Sequence, residues 1–142
     1  MLIQKTGPHI AFISEGKKLM RKMYAIDTGS MIGGAIRLNK IGTGNAIVIG
    51  EGIETSLSAG ILTGLPAWSS MDAGKLEKVE IPEQITQVVI AGDNDVSYTG
   101  QSAAYNLAKR LKNHGKIVNV IFPEKIGTDF NDLACINLNY SV

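Results

Sequence analysis

The rhythm of apolar and polar positions changes at Asn39–Asn45, NKIGTGN, where glycine and asparagine gather. Upstream, HIAFIS, KMYAID and GGAIRLN are short β-prone stretches separated by polar or glycine-rich turns, and they predict a small antiparallel layer. Downstream, strand and helix patterns alternate. AIVIG (46–50) is the continuous apolar run of a parallel strand covered on both faces. Ile53–Thr63 has helical spacing, with Ile53, Leu57, Ile61 and Leu62 on one side as the expected buried stripe and Gly64 as its stop. LPAWSS predicts a second strand, DAGKLEKV a short helix capped by Asp72, and TQVVIAG a third strand. Ala104, Leu107, Ala108 and Leu111 then repeat at helical spacing up to a stop at Gly115. KIVNVIF is the fourth strand, and TDFNDLAC opens a last short helical turn.

This alternation predicts an α/β fold with a doubly wound, mostly parallel, four-stranded sheet between helices, and ligands at the carboxyl ends of its strands. The change of rhythm divides the chain into a β-rich segment, 1–44, and an α/β domain, 45–142. With 142 residues, 44% of them hydrophobic, the chain suffices for one core and hardly for two.

Composition removes several classes of function. A net charge of +1 offers no general polycation for nucleic acid, so any such contact must come from local patches. The lone cysteine, Cys135, excludes an internal disulfide and a multi-cysteine zinc ribbon; it reads as a buried structural thiol in a reducing cytosol. No stretch approaches the roughly 18 apolar residues of a membrane span. The expectation is a soluble cytoplasmic protein without a membrane partner.

Chemistry enters at the strand ends. Glu51 follows the first parallel strand, Asp93 and Asp95 the third, and Asp129 and Asp132 the fourth, so all belong to one edge of the sheet. A single aspartate there is best explained as a turn or cap residue. Acids after three separate strands repel one another and would destabilise the rim unless they served a cation or a proton. Oxygen ligands without a histidine or thiol set suit Mg²⁺, with Mn²⁺ as substitute.

Taken together, VIGEGIETSLSA, VVIAGDNDVS and GTDFNDL resemble the TOPRIM domain shared by bacterial-type primases, topoisomerases and some nucleases, over about residues 46–134. GEGIETSLSA and the upstream GGAIRL look most like the primase and primase-helicase proteins of phages, plasmids and mobile elements. The resemblance implies a Rossmann-like fold, Glu51 as general acid or base, and Asp93 and Asp95 as the metal-binding pair with Asp129 as a further acid. It also implies phosphodiester formation from nucleoside triphosphates on single-stranded DNA. Many primases carry an acid four residues after that glutamate, where this chain has Thr55; Glu54, one position earlier, and Asp132 are its auxiliary acids. Primases of this type commonly add zinc-binding and helicase modules, and this chain has neither the cysteines nor a phosphate loop for them. It reads as an excised domain or a lone relic.

The remaining features are weighed against plainer roles. Glu15–Lys22 and Lys109, Arg110 and Lys112 are basic clusters that could seat phosphates, although a solvated face explains the helical cluster better. Arg37, beside glycines, is an equal candidate for phosphate or for surface. Trp68 and Tyr98 could stack on bases, and Trp68, inside a predicted strand, is better read as core. His9 and His114 have no visible partner and receive no catalytic role. Rival functions are a nuclease using the same metal site, a non-catalytic nucleic-acid-binding relic, and a haloacid-dehalogenase-type phosphatase with Asp93 as nucleophile. The phosphatase leaves Glu51 without work and has too few strands downstream.

Overall fold

The computed structural model describes residues 9–14, 17–23 and 32–139, with side-chain surroundings defined for 32–134. Strands β1 (His9–Ser14) and β2 (Lys17–Met23) pair antiparallel as a two-stranded sheet, with a register shift between Phe12 and Ile13. The second strand therefore begins before the predicted KMYAID, whose Tyr24–Asp27 lie outside the described residues. The main sheet contains β3 (Ile36–Arg37), β4 (Ala46–Gly50), β5 (Ala67–Ser69), β6 (Gln87–Ala91) and β7 (Ile117–Ile121), in the order β3-β5-β4-β6-β7. β4, β5, β6 and β7 run parallel, and β3 is antiparallel to β5.

The α/β architecture is as predicted, with a correction at its edge. The sheet has five strands, because Ile36 and Arg37 pair with Ser69 and Trp68 and do not belong to the N-terminal layer. β5 would otherwise present an open edge. Leu38 N–H donates to Ala67 O at 2.9 Å, and Asn39 Oδ1 accepts from Ala67 N–H at 3.1 Å, so the segment satisfies that edge.

Helices cover both faces. Ile47 and Ile49 of β4 face a core with Trp68, Leu76, Val88, Ile90 and Leu107, under α2 (Ala73–Leu76) and α3 (Thr99–Asn113). Val48, between them, faces the opposite core with Ala59, Ala67, Ala91 and Phe130, under α1 (Ile53–Thr63) and α4 (Phe130–Asn139). That is why β4 reads as an unbroken apolar run. α4, at ten residues, is longer than the single turn expected from TDFNDLAC. Among the described residues no helix is long and apolar enough to cross a membrane.

Helix α1 reverses its predicted orientation. Ile61 is 65% exposed, Leu57 40% and Leu62 37%, while Thr55, Ser56, Ser58 and Ala59 are buried. Close approach to the sheet decides this. A β-carbon at Gly60 would lie 3.0 Å from Ala67 Cβ and 3.2 Å from Leu65 O, and one at Gly50 would lie 2.9 Å from Ser56 Oγ. Only small side chains fit between these backbones. The hydroxyls are satisfied within the helix: Ser56 Oγ donates to Gly52 O at 2.6 Å, and Thr63 Oγ1 donates to Ala59 O at 2.7 Å.

Candidate active site

β4 pairs with β5 on one side and β6 on the other, so the winding reverses at β4 and a crevice opens beyond its carboxyl end. Glu51 is the first residue past β4, and Asp93 and Asp95 follow β6 next to it. A cleft of about 400 Å³ occupies this edge, with Glu51, Glu54, Asp93 and Asp129 in its lining. Thr55, Met71, Asp72 and Asn131 complete much of its wall.

The backbone of Glu51 is fixed by the turn that follows β5. Its carbonyl accepts from Met71 N–H at 2.7 Å and from Ser69 Oγ at 2.8 Å, while Gly50 O accepts from Ser70 N–H at 2.9 Å. Met71 is buried with φ +80°, a left-handed conformation unusual for its side chain. The same turn brings Asp72 into the cleft. Asp72 caps α2, as predicted, accepting from Lys75 N–H at 2.8 Å, and its carboxylate also pairs with Lys75 Nζ.

Helix α3 closes the site from the opposite side. A β-carbon at Gly100 would lie 2.7 Å from Asp93 O, 3.0 Å from Asp95 Oδ2 and 3.1 Å from Glu51 Oε1. With no side chain there, Gly100 N–H donates to Asp95 Oδ2 at 2.9 Å. Asn94, between the aspartates, ties their loop to the next one: its Nδ2 donates to Pro123 O at 2.7 Å, and its carbonyl accepts from Gly127 N–H at 2.8 Å. Gln101 Nε2 donates to both Asn94 Oδ1 and Asp95 O at 2.9 Å.

The electrostatics follow from this crowding. Burial, then Asp93, Asp95 and Asp72 in turn, push the Glu51 carboxyl up to about 7. Asp93 is raised above the usual aspartate range by burial first, then by Asp95 and Asp129, with a hydrogen bond from Thr55 pulling the other way. Glu51 Oε1 and Asp93 Oδ1 are buried without a hydrogen-bond partner among the described residues. Such oxygens call for a proton or a cation.

The sequence-derived candidates divide. Glu51, Glu54, Asp93 and Asp129 share the cleft, and Asp95 adjoins it through Gly100. Asp132 is used differently. Its Oδ2 accepts from Asp129 N–H at 3.2 Å, and Asp132 N–H donates to Asp129 Oδ1 at 3.1 Å, a reciprocal cap on α4. Arg110 serves the fold, because its guanidinium donates to the carbonyls of Glu77 (3.1 Å) and Val79. Lys109 is exposed, nine residues along α3 from Gly100, or about 13 Å by helix rise. Arg37 lies with its guanidinium carbon 4.7 Å from the centroid of the buried Trp68 ring, at the β3 edge. His114 Nδ1 lies 2.7 Å from Arg110 O.

Sequence reasoning missed four contributors: Gly100, Asn94, Gln101 and the Ser69–Asp72 turn. Their signal was only proximity in sequence to the carboxylates, since none is itself an acid or base except Asp72, whose helix-cap role was sufficient reason for its presence.

The model of the Toprim domain family matches residues 46–139. This chain belongs to the Toprim domain family. Among solved structures, this Toprim chain is similar to one described as the crystal structure of a DNA primase domain from Pseudomonas aeruginosa, at 15% identity and a TM-score of 0.49. The likeness covers 70% of this chain and 32% of that one. No match was found among curated proteins.

The donor set of this Toprim site suits a hard divalent cation. It offers only oxygens, two of them buried and unpartnered. Among the described residues no three carboxylates are already gathered into a cage that could hold an ion. Mg²⁺ does not require one, because it takes one or two carboxylates and completes its shell with water and phosphate.

Proposed function

We propose that this Toprim domain catalyses metal-dependent phosphodiester formation, as the nucleotidyl-transferring domain of a DNA primase that works on single-stranded DNA and nucleoside triphosphates. The observation that carries the reading is the burial of Glu51 and its crowding by Asp93 and Asp95, which together raise its carboxyl to about 7, while Glu51 Oε1 and Asp95 Oδ2 both lie against Gly100. Structural needs alone would not bring these acids near one another while leaving Glu51 Oε1 and Asp93 Oδ1 unpartnered.

In this reading Asp93 and Asp95, with Asp129, hold Mg²⁺ or Mn²⁺, and Glu54 is auxiliary at the mouth of the cleft. The bound ion would neutralise charge developing on phosphate oxygens. Glu51 handles the proton. Its carboxyl, raised to about 7, exchanges a proton near neutral pH, which is where a general acid or base is most effective. Asp95 keeps one oxygen on Gly100 N–H and has the other left for the ion. The loop clamp made by Asn94 and Gln101 holds the aspartates against the segment leading to Asp129. Arg37 stays a candidate phosphate contact at the sheet edge.

Template handling falls to zinc-binding or helicase modules outside these residues, since a net charge of +1 attracts little DNA on its own. The lone cysteine fits action in a reducing cytoplasm.

The test is primer synthesis on single-stranded DNA by the full-length gene product with Mg²⁺ or Mn²⁺. Glu51→Gln should lower the rate by about a hundredfold or more, the scale of a positioned acid or base. An unchanged rate with native circular dichroism removes Glu51 from the chemistry. Metal-dependent strand cleavage without primer synthesis replaces the primase reading with a nuclease.

A further inference from the structure

The two loops that carry and flank the acids also carry exposed apolar side chains. Of nine large hydrophobic residues exposed among the described residues, three lie in these loops: Val96 (78%), Tyr98 (69%) and Ile126 (61%). Asn94 joins the loops directly, its side chain on Pro123 O and its carbonyl on Gly127 N–H.

Tyr98 is the most unusual. Its N–H donates to Asp95 O at 3.2 Å, and its own carbonyl accepts from Ser102 N–H at 2.9 Å at the start of α3. Its backbone is left-handed, at φ +61°. That conformation suits glycine or asparagine, and a bulky aromatic residue there is strained. The backbone of Tyr98 serves the start of α3, but its ring serves nothing in the fold: it is exposed, its hydroxyl has no partner among the described residues, and the one aromatic pair found there is Tyr105 with Phe122. Gly100, two residues on, donates to Asp95 Oδ2 at 2.9 Å, and a β-carbon there would lie 3.1 Å from Glu51 Oε1. An exposed aromatic ring is thus held on the turn that carries Asp95, three residues from that carboxylate.

We propose that Tyr98 is a stacking platform for the nucleobase attached to the phosphate that the acids engage, with Val96 and Ile126 as its apolar margin. The inference rests on the phosphodiester-transfer reading of the cleft. Trp68, the other aromatic candidate in the sequence, is buried and cannot serve. Base stacking tolerates every sequence, which suits a site that joins all four nucleotides.

The experiment compares Mn²⁺–ATP, Mn²⁺–tripolyphosphate and a short oligothymidylate, each titrated against wild type, Tyr98→Ala, Tyr98→Phe and Tyr98→Gly by calorimetry. Loss of one stacking contact weakens binding about fivefold or more. Tyr98→Ala and Tyr98→Gly should show that loss with ATP or the oligonucleotide, Tyr98→Phe should stay within about twofold of wild type, and tripolyphosphate should bind all four alike. Loss confined to ATP assigns the base to a free nucleotide, and loss confined to the oligonucleotide assigns it to a strand. Tyr98→Gly relieves the backbone and should melt no lower than wild type, which separates lost binding from lost folding. Equal affinities of Tyr98→Ala and wild type for both base-bearing ligands overturn the platform. So does an equal loss with tripolyphosphate, which would make Tyr98 a support for the loop. If wild type binds tripolyphosphate as tightly as ATP, the platform falls and the metal site stands; if it binds neither with Mn²⁺, both fall.

Discussion

Gly100 donates its backbone N–H to Asp95 Oδ2 at 2.9 Å, and the carboxylate is met at this distance only because residue 100 has no side chain. One oxygen of Asp95 is thereby fixed by a neutral donor and the other is left available. Gly100→Ala forces its methyl to within 2.7 Å of Asp93 O unless α3 withdraws. It should destabilise the protein by about 1–3 kcal/mol, the usual range for overpacking. Mn²⁺ affinity, followed by electron paramagnetic resonance on folded protein, should fall as well; unchanged affinity would mean that the α3 contact does not position the acids.

Stability should depend on pH with a sign opposite to that of salt-bridged carboxylates. Glu51 is raised from 4.5 unfolded to about 7 folded, so between these values the folded state holds more protons than the unfolded chain. Stability from this group is then greatest below about 4.5, falls as pH rises to about 7, and is level above that. Asp93, also raised, acts in the same direction. The difference in urea midpoint between wild type and Glu51→Gln, measured across pH 4.5 to 7.5, should show this slope in the absence of divalent ions. A difference independent of pH would contradict the burial of Glu51.

Asp93→Asn with Asp95→Asn removes repulsion and ligands together. An asparagine at 95 can still accept from Gly100 N–H, so the metal-free double variant should melt no lower than wild type and can melt higher. Mg²⁺ at about ten times its Kd should stabilise wild type by about 1.4 kcal/mol, or several degrees in a domain of this size. The double variant should lose that increment. Equal Mg²⁺ responses would reduce the aspartate pair to a turn.

Helix α1 offers a contrast between two faces. Ile61→Lys, on the exposed apolar side, should change stability by no more than about 0.5 kcal/mol. Gly60→Val, on the side pressed against Ala67, should cost about 1–3 kcal/mol or more from overpacking. Thermal melts of the two decide it; the reverse ranking would restore the conventional orientation of the helix.

The sequence by itself determined the α/β alternation and the placement of the acids. An apolar run such as AIVIG must be covered on both faces, and a polar residue just past such a run must lie at a strand's carboxyl end, so Glu51, Asp93, Asp95 and Asp129 were assigned to one edge without coordinates. Only the tertiary structure decided which neighbours serve them. Periodicity marks Leu57, Ile61 and Leu62 as a stripe, but the separation between α1 and the sheet, set by Gly50, Gly60 and Ala67, admits only small side chains and turns that stripe outward. Capping patterns read alike whether a carboxylate also faces a cleft, as Asp72 does, or is spent on its own helix, as Asp132 is. Charge alone does not tell whether a cation is free for phosphate or committed to carbonyls, as Arg110 is. These outcomes depend on distances between segments far apart in the chain, and a local pattern contains no term for them.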